Sequence, residues 1–226
     1  MKKINRKYTI ALLVIACLLV SVISAYFTDA DTATNTFTTG EVSLDLLEPN
    51  WDPDNAEKIV PTQVIAKDPQ ILNDGSNEEY VFLTVQVPYV QDLVTANPDG
   101  TKNEAADMEL FTYEINEGWV EIGTVVIDEV NGTATHTYAY GTDTEMTKLD
   151  PNVTTPTLFD EVTFVNAVER QGLENSTNDI VINAYGIQTE NVNGGKTAPA
   201  DVWLVIQNQA PTPEVQETVA ADEEES

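Results

Sequence analysis

Apart from carboxylates, few residues in this chain could do chemistry. It holds one histidine, His136, and one cysteine, Cys17, beside 38 acidic and 10 basic residues. A zinc helix of the His-Glu-x-x-His kind needs two histidines and cannot be built here. No Gly-x-Ser-x-Gly elbow, Walker-type loop or Asp-Thr-Gly pair occurs. His136 stands in the alternating run Ala134, His136, Tyr138, Tyr140, which reads as a strand histidine, hydrogen-bonded or solvated, rather than a catalytic base. A glycosidase-type carboxylate pair cannot be singled out where acids are so numerous; most read as solvated groups that keep edges from uncontrolled pairing. Asp52-Pro53-Asp54-Asn55 and Asn97-Pro98-Asp99-Gly100 bring oxygens together, but an EF-hand frame with Gly100 at its sixth position would put Ala106 at its twelfth. Both read as turns, and weak surface binding of divalent cations stays open. No catalytic, cofactor or metal residue is expected.

Cys17 lies in an apolar run. Basic Met1–Lys7, apolar Tyr8–Ala25 and then acidic polar sequence follow the order of a secretory signal peptide, with cleavage expected between Ala25 and Tyr26. An uncleaved anchor and a lipoprotein box at Cys17 are the rival readings. A leader comprising residues 1–25 removes Lys2, Lys3, Arg6 and Lys7 and leaves the mature chain more acidic than the −28 of the whole. It also leaves no thiol, which excludes disulfides, Cys-ligated zinc and thiol catalysis. Such a polyanion repels nucleic acid and anionic lipid, so membrane contact is expected only before cleavage.

Beyond residue 25 the hydrophobic period is two. Val42, Leu44 and Leu46 alternate with Ser43, Asp45 and Leu47; Val81, Leu83, Val85 and Val87 with Tyr80, Phe82, Thr84 and Gln86; and Phe111, Tyr113 and Ile115 with Thr112 and Glu114, which places one set of each on the core face of a half-buried strand. Further strands are expected over Ile59–Ala66, Val120–Gly123, Thr124–Val130, Val162–Val168 and Asp179–Gln188. Turn signals separate them: Asn73-Asp74-Gly75, Asn97–Gly100, Asn131-Gly132, for which a two-residue hairpin is expected, and Asn193-Gly194-Gly195. Many strands with regular turns predict an all-β antiparallel sandwich or closed barrel. One helix is expected near Thr197–Ile206, with Thr197 as cap, Pro199 in its first turn and an apolar stripe of Val202, Trp203, Val205 and Ile206; a buried strand is the alternative there. A second helical turn is expected to end at Met108–Leu110. The proline-bearing acidic stretch 209–226 reads as a disordered tail without a Leu-Pro-x-Thr-Gly sorting signal. The organisation is thus 1–25 leader, 26–41 processing segment, 42–208 sandwich and 209–226 tail.

Ala25-Tyr26-Phe27-Thr28-Asp29 resembles the processing region of proteins matured by the SipW-type signal peptidase. Asn35-Thr36-Phe37-Thr38-Thr39-Gly40, followed by the alternating run from Glu41 to Leu46, resembles the opening pattern of the TasA/camelysin family. Val60-Pro61-Thr62, Lys67-Asp68-Pro69, Asn73-Asp74-Gly75 and Tyr80-Val81 are similar to a second family block, with Thr62 where glycine is usual. Thr157–Asp160 and Ile182–Gln188 resemble segments of its clostridial branch. The resemblance implies a jelly-roll-like sandwich with one or two short helices, export, and assembly into biofilm-matrix or surface fibres. It implies the chain itself, the SipW-type peptidase and other matrix components as partners. The camelysin branch has also been classed as a metalloprotease family; this sequence supplies no zinc ligand set for that activity.

On this resemblance, cleavage frees a donor strand, Tyr26-Phe27-Thr28-Asp29-Ala30-Asp31-Thr32-Ala33-Thr34-Asn35-Thr36-Phe37, whose aromatic and Thr-rich residues favour extended backbone. Such a segment can complete the open sheet edge of a neighbour, and head-to-tail repetition gives a filament. The alternatives are a frayed first strand, and a surface binding module that uses exposed Trp51, Trp119 or Trp203.

Overall fold

The fold is organised around one long strand. Glu79–Leu93 carries Val81, Leu83, Val85 and Val87, all fully buried on one face, and Phe82, fully buried on the other, so this strand is extended between two layers. The computed structural model describes residues 41–173 and 176–209, within the unit Gly40–Ser226. In chain order the strands are β1 (Leu44–Leu47), β2 (Val64–Ala66), β3 (Gln70–Asn73), β4 (Glu79–Leu93), β5 (Ala106–Glu109), β6 (Phe111–Thr112), β7 (Trp119–Glu121), β8 (Val126–Asp128), β9 (Thr133–Tyr140), β10 (Glu161–Phe164) and β11 (Val181–Gln188). Among the described residues one α-helix, α1, covers Pro199–Gln209. Every named strand pair is antiparallel. The main sheet has the order β11-β4-β9-β7, with β8 also on β9 and β5 on the far end of β4; β2-β10-β6 and β1-β3 form smaller sheets.

The chain is therefore an all-β antiparallel sandwich with a short helix. Val81, Leu83, Val85 and Val87 of β4, Tyr138 of β9 and Trp119 of β7 meet Ile65, Ile71, Phe111, Val162 and Phe164 from the smaller sheets. In a half-buried strand the opposite face of β4, with Tyr80, Phe82 and Thr84, would lie off the core. It is buried as well: Tyr80 and Phe82 pack with Ala139, Ile187, Met146 and Val202 in a second cluster. The cause is α1, whose Val202, Trp203, Val205 and Ile206 form the expected stripe and lie on that face. Pro199 opens the helix, where its missing N–H costs nothing. Ala198 rather than Thr197 holds the capping place, since its carbonyl accepts from Val202 N–H. Gln209, expected to begin the tail, is the last helical residue; the remainder of that tail lies outside the described residues.

Other expectations are corrected in detail. The turn expected to end at Met108–Leu110 is strand β5, held by β4 in the register Val90 to Met108. Of Ile59–Ala66 only Val64–Ala66 pairs, and of Phe111–Ile115 only Phe111–Thr112. β3 was not foreseen, because Ile71 is the one fully buried aliphatic in a short strand beside Pro69. Asn131-Gly132 does join β8 to β9, but Asp128 pairs with Thr133, so the loop has four residues and only Gly132 of the two has positive φ (63°). The Asp128 carboxylate, which accepts from the Val130 and Asn131 amides, replaces the two-residue turn.

Candidate functional site

The expected cleavage residues Ala25 and Tyr26 and the donor strand Tyr26–Phe37 lie outside the described residues. What can be described is the surface such a strand would meet.

β11 reads Val-Ile-Asn-Ala-Tyr-Gly-Ile-Gln, eight residues with no charge and no proline. Among the described residues it pairs on one side only, with β4. Edge strands normally protect themselves with charges, bulges or brevity. The opposite flank of the same sheet uses all three. There β7 and β8 are three residues each and carry Glu121 and Asp128. Residues 122–125 between them stand opposite only His136 and Thr137 of β9, a bulge that includes Gly123 at φ 74°. Beside the entry to β11, next to Ile180, a groove of about 670 Å³ runs over core side chains, among them Ile65, Phe111, Val162 and Phe164. Trp51 and Lys67 line it as well, with the Lys67 ammonium 4.7 Å from the Trp51 ring centroid and 2.6 Å from Glu48 Oε1.

Of the three tryptophans, only Trp51 is exposed (37%). Trp119 is buried and donates Nε1–H to the Pro156 carbonyl, while Trp203 packs on Phe82 and Tyr185. They do not form a shared binding face.

His136 is hydrogen-bonded, as one of its two structural readings had it. Its Nδ1 lies 2.6 Å from Glu121 Oε1 and its Nε2 2.9 Å from Glu109 Oε1, so the ring ties β9 to β7 and β5. Tyr138 stacks on the ring and Tyr113 meets it edge-on, with the two phenols 2.9 Å apart. Two carboxylates on opposite nitrogens suit the imidazolium, which donates twice. The Glu109 hydrogen bond, then that of Glu121, holds the His136 pKa above its ordinary value against the opposing effect of burial. Burial pushes both phenols upward, so they stay neutral. Neither ring nitrogen is free to act as a base, and the carboxylates approach from opposite sides rather than converging. Among the described residues no group of three or more His, Cys, Asp or Glu is placed to hold a metal ion.

The raised pKa makes the sign of a pH effect definite. The His136 contribution is complete below the unfolded-state value near 6.5 and is lost as pH rises through the folded-state value. His136→Gln should therefore cost about 1.5–3 kcal/mol at pH 6, the range for hydrogen bonds to charged groups, with the gap closing at alkaline pH. Urea midpoints between pH 5 and 9 check this; a gap that does not change with pH counts against the charged clamp.

The two acidic turns are turns. Asp52 accepts from Asp54 N–H and Asn55 Nδ2, and Asp99 accepts from the Thr101 amide and hydroxyl. Sequence reasoning placed a strand over Asp179–Gln188 but missed its position at an edge. The missing charges along it were the available signal. Compared with known proteins, the chain matches no family model and no curated protein. Among the described residues no helix is long and apolar enough to cross a membrane.

Proposed function

We propose that this chain is a secreted structural protein of the TasA/camelysin kind that builds extracellular matrix or surface fibres, without enzymatic activity. Leader removal by a SipW-type peptidase frees Tyr26–Phe37, and that segment adds to a sheet edge of the next copy. The observation that carries the reading is the contrast between the two flanks of the main sheet. One is bulged, short-stranded and acidic; the other, β11, is continuous and uncharged, and beside its entry runs a groove lined by Ile65, Phe111, Val162 and Phe164 together with the charged Lys58, Lys67, Glu169 and Asp179. Main-chain hydrogen bonds along β11 would supply strength, and the groove would seat an aromatic side chain of the arriving segment.

The test compares protein starting at Tyr26 with protein starting at Thr38, by electron microscopy and sedimentation over a range of pH and divalent-cation concentration. The longer form should polymerise and the shorter stay monomeric. Equal polymerisation of both overturns strand donation. The second reading, a surface binding module, has Trp51 at the groove in its favour; a longer form that stays monomeric under every condition would make it the better account.

A further inference from the structure

Glu79 is fully buried at the start of β4, and its Oε2 has no hydrogen-bond partner. Its Oε1 accepts from the Ser43 amide at 3.0 Å. Ser43 lies in the stretch immediately before β1, near the first of the described residues. The same stretch is tied to the turn after β3: Glu41 N–H donates to Ser76 Oγ, Ser76 N–H to the Glu41 carbonyl, and Gly75 N–H to the Ser43 carbonyl. The carboxyl is closed in on both sides by glycines. A Cβ on Gly186 would stand 2.6 Å from Glu79 Oε2 and 2.7 Å from Leu44 Cδ2, and one on Gly75 3.0 Å from Glu79 Oε1. Val42 and Leu44 lie over Gly186, so residues 41–44 form part of the cover over a carboxyl group with one bare oxygen.

We propose that residues Glu41–Leu44 are a proton-locked strap: they stay closed over Glu79 while its carboxyl is neutral and open to admit water when it ionises. A buried carboxylate with an unpartnered oxygen is costly, and lifting the strap is the local movement that hydrates it. The charged and polar groups that face Glu79 are few. Asp74, in the turn, adds repulsion against ionisation, while the Ser43 amide favours the anion. Burial outweighs that amide, and the Glu79 pKa is raised. The strap's contribution is therefore complete below about pH 4.3, the ordinary glutamate value, is lost as pH rises from there through the folded-state value, and then levels off. The strap itself does not depend on strand exchange. Its consequence for assembly, that it fixes where the donor segment leaves the subunit, rests on that reading.

The experiment uses the chain from Tyr26, held monomeric by dilution, and measures hydrogen-exchange protection at Ser43 and Ser76, whose amides donate to Glu79 Oε1 and to the Glu41 carbonyl, against pH, with the Glu79 side chain followed by carbon NMR. In the unaltered protein, protection should fall about tenfold for each pH unit between the unfolded- and folded-state pKa values of Glu79. The carboxyl should titrate with the midpoint at which the fall levels off. Glu79→Gln keeps a neutral acceptor and should make protection independent of pH. Should that variant not fold, the carbon titration decides alone: a Glu79 midpoint in the ordinary carboxylate range overturns the strap. So does pH-independent protection in the unaltered chain. Fibres with an unlocked strap, or a working strap without fibres, separate this inference from the assembly reading.

Discussion

Phe82→Ala is expected to lower the unfolding free energy by about 3–5 kcal/mol, the range for removing a buried aromatic side chain, and Tm by roughly 10 °C. Phe82 is fully buried on the face of β4 that α1 covers, with its ring 5.1 Å from that of Trp203. The lost volume lies between a central strand and a helix that contributes only one wholly buried aliphatic side chain, Val202. The helix stripe packs on the cluster that Phe82 belongs to, so the near-ultraviolet circular dichroism of Trp203 should weaken together with the urea midpoint. Val181→Ala is the control. Val181 is 42% exposed in β11, and its truncation should stay within about 0.5 kcal/mol. A Phe82→Ala variant as stable as that control would mean that the second face of the sheet is not a packed layer.

Glu48→Ala should cost about 2–3 kcal/mol. The Lys67 side chain is only 8% exposed, and its ammonium has the Glu48 carboxylate at 2.6 Å and the face of Trp51 for company. Breaking a buried pair from one side costs more than the pair is worth, because a charge is left without its partner. Glu48 is itself 23% exposed, which puts the expectation below the full penalty. Lys67→Met in the same chain should recover part of the loss, since no ammonium then remains to be stranded. Urea unfolding of the two single variants and the double variant measures the coupling. Additive losses would show that the ion pair contributes nothing beyond packing. The neighbouring strap of Asp68 to Asn50, through the backbone amide at 2.9 Å and the side-chain amide at 2.8 Å, should hold the loop in place in all three variants.

Much of the sandwich is legible in the sequence because alternation is a local signal. Val81, Leu83, Val85 and Val87 mark their strand without reference to anything distant, and Val202, Trp203, Val205 and Ile206 mark a helical stripe. What cannot be read locally is which second element covers a face. Nothing near Tyr80 and Phe82 says that a helix more than a hundred residues later lies on them. β5 was misread for a similar reason: Glu-Ala-Ala-Asp before Met108 favours a helix by propensity, and pairing with the far end of β4 overrides it. The edge position of β11 and the enclosure of Glu79 are likewise products of sheet order. A glutamate at the start of an apolar strand looks like one more surface acid until Gly186, far along the chain, is brought against it.

The unlike flanks of the main sheet carry one more consequence. Only one of them, β11, is suited to receive a strand, and on the donor-strand reading what it receives is a different part of the next copy, so each contact would be head-to-tail rather than self-matching. Growth of that kind would be vectorial. Each added copy would leave the same kind of edge available as the last, and the two terminal subunits would differ in what they can still accept.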